Sequence, residues 1–315
     1  MTDLSLVDPE LRPMLDQWPT LALDADLLAT IRAAGSRLPA PPVVPNAVTC
    51  ERRSVPGPAG APDVSLLIYT PAGTGPFPCL FHIHGGGYVM GDAASLEFAH
   101  RPMAEALGCV IVSVDYRLAP ETVFPGAIED CYAGLAWTFA QATELRVDPA
   151  RIGVIGESAG GGLAAALALL ARDRGTYRLA FQHLTYPMLD DRTCTRDDPN
   201  PATGQFIWTP HNNRFGWRAL LGRDPGADDV SPYAAAARAT DLAGLPPTYI
   251  ATGALDLFVD EDLDYARRLI RAGVPTELHV YPGGFHGFDI DPNAAVAAQA
   301  RRDRMDALRR AMVVK

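Results

Sequence analysis

Ile152-Gly153-Val154-Ile155-Gly156-Glu157-Ser158-Ala159-Gly160-Gly161-Gly162 decides how this chain is read. A short apolar run gives way within one residue to a serine set among glycines. A helical pattern follows from Ala159 to Arg174, with Arg172 and Arg174 near its carboxyl end and Gly175 as its stop. An apolar run of this length reads as a strand buried on both faces. Turning a strand directly into a helix forces the corner residue to positive φ, and small neighbours leave room for the turn. Ser158 then stands at a helix N-terminus, where the dipole favours a developing anion. Gly-x-Ser-x-Gly in this strand–turn–helix setting has the form of a nucleophile elbow. The bland alternative is a glycine-rich turn without chemistry.

The same rhythm extends in both directions. Val64–Tyr69, Cys79–His84 and Cys109–Asp115 read as strands upstream, and Leu184–Tyr186, Thr248–Thr252 and Thr276–Tyr281 downstream. Helical patterns occupy Pro125–Thr138, Glu261–Ala272 (stopped by Gly273) and Ala294–Met312. Strands alternating with helices predict right-handed parallel crossovers, hence an α/β fold with a mostly parallel central sheet flanked by helices. Residues 190–235 break the rhythm with Pro, Asn, Gly and the aromatics Phe206, Trp208, Phe215 and Trp217. Residues 1–45 carry short amphipathic patches (Leu21, Leu23, Leu27, Leu28, Ile31) and close on Pro39-Ala40-Pro41-Pro42. We read 1–45 as an N-terminal cap segment and 46–315 as the main domain. The insertion at 190–235 would join the cap over one end of the sheet.

Composition removes whole classes of function. The chain has 315 residues, 48% hydrophobic and 20% charged, which suits a globular domain. Its 28 glycines and 28 prolines make it turn-rich without reaching the level of disorder. A net charge of −10 repels phosphate backbones, so nucleic acid is not an expected partner. The only lysine is Lys315, which excludes a P-loop lysine, a Schiff-base lysine and a Ser-x-x-Lys pair. The N-terminal stretch is acidic where a signal peptide is basic. The most apolar run, Leu163–Ala171, is far shorter than the ~20 residues of a membrane helix. Five widely spaced cysteines form no Cys-x-x-Cys pair, so a reduced, cytoplasmic protein without membrane association is expected.

A second signal, His84-Gly85-Gly86-Gly87-Tyr88, stands at the end of a strand. Consecutive glycines present backbone N–H groups unscreened by side chains, which is what an oxyanion hole requires. Gly85 and Gly86 can supply two donors and Ala159, directly after the serine, a third. A merely flexible loop is the alternative. His82-x-His84 could also suggest a metal site, but no Asp-His pair follows, and no metal is expected. Ser158 needs a base, and the base an orienting acid. Among seven histidines, His286 stands in Pro282-Gly283-Gly284-Phe285-His286-Gly287-Phe288, just after the last strand and at the sheet edge that carries Ser158. Asp256 follows the strand Thr248–Thr252 at that same edge. Asp260 and Glu261 suit the first turn of the next helix, so Asp256 is preferred to Asp260. The order Ser158, Asp256, His286 is that of α/β hydrolases, not of the trypsin or subtilisin folds.

These motifs together resemble the hormone-sensitive-lipase-like carboxylesterases, bacterial family IV, of the α/β-hydrolase fold. Carrying the resemblance are His84-Gly85-Gly86-Gly87, Tyr116-Arg117-Leu118-Ala119-Pro120-Glu121, Phe124-Pro125-Gly126-Ala127 with Glu129-Asp130, Gly156-Glu157-Ser158-Ala159-Gly160-Gly161, Asp256-Leu257-Phe258-Val259-Asp260-Glu261 and Phe285-His286-Gly287-Phe288. The resemblance implies hydrolysis of small esters with short- to medium-chain acyl groups, a helical cap and no cofactor. It assigns Asp256 to the triad and makes a homodimer through an edge strand and the C-terminal helix plausible. Two residues depart from the pattern: Glu157 stands where the family commonly has Asp, and Leu257 where it has Pro. Tyr116–Glu121 reads as a brace behind the oxyanion segment, with Arg117 and Glu121 paired. Tyr88, Phe206, Trp208 and Phe288 are candidate linings of the substrate pocket, although aromatics in an irregular insertion are as often plain cap core. An amidase or formamidase with the same triad and a non-catalytic small-molecule receptor are the rival readings.

Overall fold

The computed structural model describes residues 4–18, 20–34, 43 and 46–313. At its centre lie β1 (Thr49–Val55), β2 (Val64–Thr70), β3 (Phe77–Ile83), β4 (Val110–Asp115), β5 (Val147–Glu157), β6 (Gln182–Thr185), β7 (Thr248–Gly253) and β8 (Thr276–Tyr281). They form one sheet in the order β1-β2-β4-β3-β5-β6-β7-β8. The pairs β1–β2 and β2–β4 are antiparallel, and every later pair is parallel. The helices are α1 (Arg12–Gln17), α2 (Ala25–Ala34), α3 (Glu97–Leu107), α4 (Gly126–Ala140), α5 (Ala159–Arg174), α6 (Pro210–Leu221), α7 (Val259–Arg271) and α8 (Ala295–Ala311).

Strand alternation builds a core on each face. Ile68, Phe81, Val112 and Val154 pack with α4, α5 and α7. Their chain neighbours Tyr69, Leu80, Ile111 and Ile155 point the other way, into a cluster with Met103 and Ala104 of α3 and Leu308 of α8. A third cluster joins Val7, Leu11 and Met14 to Phe206, Phe285, Phe288 and Ala297. Asp8 N–H donates to the Gly283 carbonyl at 3.2 Å, and Glu10 accepts from Ala295 N–H at the start of α8 at 2.6 Å. The N-terminal segment is also tied to α6: Leu23 N–H donates to Asn212 Oδ1 at 2.9 Å, and Asn212 Nδ2 donates to the Leu21 carbonyl at 2.8 Å. The proline-rich connection read at 39–42 lies outside the described residues.

Three elements depart from the sequence reading. β1 is hidden by its polar letters, Thr49-Cys50-Glu51-Arg52-Arg53-Ser54-Val55; it is an edge strand with only Val55 buried. α3 carries Pro102 in its interior, which masks its periodicity. α6 arises inside the irregular insertion, where the Thr209 hydroxyl accepts from Asn212 N–H and Pro210 fills the first turn. That cap is legible in the letters Thr209-Pro210.

Candidate active site

β5 ends at Glu157 and α5 begins at Ala159, leaving Ser158 alone to make the turn at φ 57° and ψ −123°. The crowding explains the glycines. A Cβ on Gly156 would stand 2.3 Å from the Gly160 carbonyl oxygen, and one on Gly160 would stand 2.1 Å from that of Ile83. Ser158 N–H donates to the Thr185 carbonyl at 2.9 Å, and the Ser158 carbonyl accepts from Gly162 and Met188, so the strained residue is held from both sides.

His286 and Asp256 arrive on two loops at the carboxyl ends of β8 and β7. These loops are fastened to each other: Leu255 N–H donates to the Gly284 carbonyl at 2.9 Å, and Ala254 N–H to that of Tyr281 at 2.9 Å. His286 Nε2 lies 2.9 Å from Ser158 Oγ, and His286 Nδ1 lies 2.8 Å from Asp256 Oδ2. Asp256 is completely buried and takes Phe258 N–H on Oδ1 at 3.0 Å. Tyr186 tilts against the imidazole at 4.7 Å between ring centroids, Phe258 meets it edge-on at 5.3 Å, and Trp208 stands at 6.2 Å.

The glycine loop approaches from β3. A Cβ on Gly85 would be 2.9 Å from the Glu157 carbonyl oxygen and 3.4 Å from Ser158 Cβ, so this backbone lies directly against the elbow. Gly86 and Gly87 have φ of 114° and 60°. Among the described residues, no protein acceptor takes the Gly85, Gly86 or Ala159 amide hydrogens. His84 fixes the loop's origin: its Nδ1 is 2.8 Å from the Gly85 carbonyl, its ring stacks on Tyr116, and Tyr116 OH donates to the His84 carbonyl. Burial lowers the His84 pKa from its ordinary value, so this imidazole is a neutral brace. No group of three or more His, Cys, Asp or Glu among the described residues is placed to hold a metal ion.

The aromatic candidates separate. Trp208 covers the glycine loop, where a Cβ on Gly87 would come within 2.2 Å of its ring. Tyr88 is buried against Trp217 and donates to the Met188 carbonyl at 3.0 Å. Phe206 and Phe288 belong instead to the cluster around Val7 and Leu11, with Phe206 facing Phe285 and Phe288 facing Tyr281. The predicted Arg117–Glu121 pair is corrected. Arg117 grips buried Asp130 of α4 with Nε and Nη2 at 2.8 and 2.7 Å, while Glu121 reaches Arg32 of α2 at 2.7 Å. Asp130 wins because it is desolvated beside the guanidinium and also accepts Arg117 N–H. Tyr186 is a site residue that the sequence reading misses, although its place as the last letter of the strand read at Leu184–Tyr186 is a usable signal.

A parallel-dominated sheet with a serine elbow, an imidazole and a buried acid at one edge defines an α/β hydrolase. The chain belongs to the alpha/beta hydrolase fold family, whose pattern matches residues 80–290, and to its hormone-sensitive-lipase-like group. It is similar to the carboxylesterase NlhH of Mycobacterium tuberculosis, 35% identical over 97% of this chain and 96% of that one. The esterase LipI of the same organism is 36% identical over 90% of this chain and 88% of its own. A bacterial heroin esterase superposes with a TM-score of 0.94 at 42% identity, covering 99% of this chain and 100% of that structure.

Proposed function

We propose that this protein is a serine carboxylesterase in which Ser158, His286 and Asp256 form the triad. The chain of contacts at 2.9 and 2.8 Å from Ser158 Oγ through His286 to Asp256 carries the reading. His286 Nε2 takes the serine proton as Oγ attacks the ester carbonyl, and Asp256 holds the proton of Nδ1 and steadies the imidazolium. The Gly85, Gly86 and Ala159 amides receive the oxyanion. His286 then protonates the departing alcohol, leaving an acyl-enzyme. A water molecule, deprotonated by the same imidazole, releases the acid and restores Ser158.

Membership of the hydrolase family and the esterase names of its relatives support an ester rather than an amide as substrate. An imidazole already aligned on the serine favours catalysis over a receptor role. Contacts of Ile207 and α6 with residues 20–23 support a cap built from the N-terminal segment and the insertion. Trp208, close to both His286 and the glycine loop, is the wall we assign to a short- to medium-chain acyl pocket; an acyl series from two to sixteen carbons reads its depth. Five free cysteines suit the cytoplasm, and the outer position of β8 leaves an edge for a homodimer, which sedimentation would detect. No helix among the described residues is long and apolar enough to cross a membrane. Ser158→Ala and His286→Ala, each folded, should abolish hydrolysis of p-nitrophenyl butyrate; an active Ser158→Ala protein would refute the assignment.

A further inference from the structure

Behind the elbow lies a second serine–histidine–acid chain that the reaction does not use. His82 Nδ1 is 2.7 Å from Ser113 Oγ, and His82 Nε2 is 2.9 Å from Glu157 Oε2. His82 and Ser113 are wholly buried, so no substrate reaches them and a second nucleophilic site is ruled out. We infer that His82 is a positioning residue, which clamps the strand carrying the nucleophile to the strand carrying the oxyanion glycines. This rests on the esterase reading above.

The topology makes the clamp specific. His82 belongs to β3, three residues before Gly85, and is paired in register with Ser113 of β4 and Ile155 of β5. Glu157 is the last residue of β5 and the one directly before Ser158. One imidazole therefore bridges three central strands where two of them deliver catalytic groups. Beyond it the packing has no slack, because the Gly85 position lies against both the Glu157 carbonyl and Ser158 Cβ. A displacement of Glu157 is passed directly to the distance between the Gly85 amide and the oxyanion. Donors act best at about 2.7–3.1 Å, and a misplacement of about 1 Å can cost a hundredfold in rate.

Charge fixes the direction of the hydrogen bond to Glu157. Burial alone would raise the Glu157 carboxyl, but His82, followed by Arg304, holds it down at about 2. A carboxylate only accepts, so His82 Nε2 carries a proton toward Glu157, while Nδ1 is engaged by Ser113 Oγ. His100 backs the ring edge-on at 4.2 Å and is itself kept neutral by burial. Every polar atom of the imidazole is thereby committed, as a rigid clamp requires.

The test uses the full chain with p-nitrophenyl acetate, active sites counted with a fluorophosphonate. Glu157→Leu should lower kcat about ten- to a hundredfold with KM nearly unchanged. Glu157→Gln, which keeps an acceptor for Nε2–H, should recover most of that loss. His82→Leu should resemble Glu157→Leu, and the double variant should be no worse than the poorer single one. Full kcat in Glu157→Leu, no recovery in Glu157→Gln, or losses that multiply in the double variant would each overturn the inference. If His82→Leu does not fold, the two Glu157 variants still decide. Wild-type turnover in the same assay judges the esterase reading separately, so only the ratios between variants bear on His82.

Discussion

Asp256→Asn is the most informative single change. It alters one atom at constant volume at a fully buried position. Phe258 N–H donates to Oδ1 at 3.0 Å, so the asparagine carbonyl stays on that side and its NH₂ turns toward His286 Nδ1, 2.8 Å from the replaced oxygen. Two donors cannot face each other, and Nδ1 must become the acceptor. The ring proton then sits on Nε2, pointing at Ser158 Oγ, and the base has no lone pair for the serine proton. The same loss of the orienting acid in a trypsin-like triad costs about 10⁴ in kcat, and at ~1.36 kcal/mol per tenfold this is ~5 kcal/mol. Initial rates on p-nitrophenyl butyrate measure it, with thermal melting as the folding control. Asp260→Asn supplies the contrast: Asp260 is exposed, accepts a bond of 3.4 Å from Asn200 Nδ2, and should leave kcat near wild type when changed. Retention of more than about a tenth of kcat in Asp256→Asn, or an equal loss in Asp260→Asn, would refute the reasoning.

Other consequences are sharper for stability. Arg117→Ala strands buried Asp130 and should cost about 3 kcal/mol in denaturant unfolding, whereas Glu121→Ala breaks an exposed pair with Arg32 and should cost less than about 1 kcal/mol. Gly86→Ala would bring a Cβ within 2.1 Å of the Met90 carbonyl oxygen at φ 114°, so the loop must shift; phosphonate labelling and kcat should fall together by roughly 10²–10³, as for a lost oxyanion donor. Neither carboxylate oxygen of buried Asp262 has a well-formed hydrogen bond, and burial, reinforced by Glu261 and Asp256 against a weaker pull from Thr252, pushes its carboxyl well above the usual range. Folding therefore takes up a proton above the unfolded value of about 3.9, and stability declines by up to ~1.4 kcal/mol per pH unit as pH rises toward the folded value. Asp262→Asn removes that slope, so the variant should gain on the wild type in melting temperature between about pH 4 and 7; parallel curves would contradict this.

Much of the fold is legible because buried parallel strands are written as continuous apolar runs. Thr276–Tyr281 and Ala159–Arg174 fall where the letters put them. β1 escapes because an edge strand needs only one buried residue, and α3 because a proline inside a helix breaks the pattern that announces it. The candidate triad is readable since each member sits at the turn after a strand or on the short loop that follows one, which fixes the sheet edge it occupies. Partnerships across the fold are not readable. Asp130 beside Arg117, or Glu157 beside His82, depends on which strands and helices become neighbours, and a local motif such as Tyr116–Glu121 suggests the wrong pair. Tyr186 lies between these cases: its position at the end of a strand is visible, but not that its ring meets His286.

Mass spectrometry after exposure to a fluorophosphonate tests the central claim most directly. The wild type should gain a single adduct, mapped to Ser158, with hydrolysis lost in proportion, and Ser158→Ala should gain none. An adduct on another residue that abolishes hydrolysis, or a Ser158→Ala protein that is still labelled and active, would contradict it.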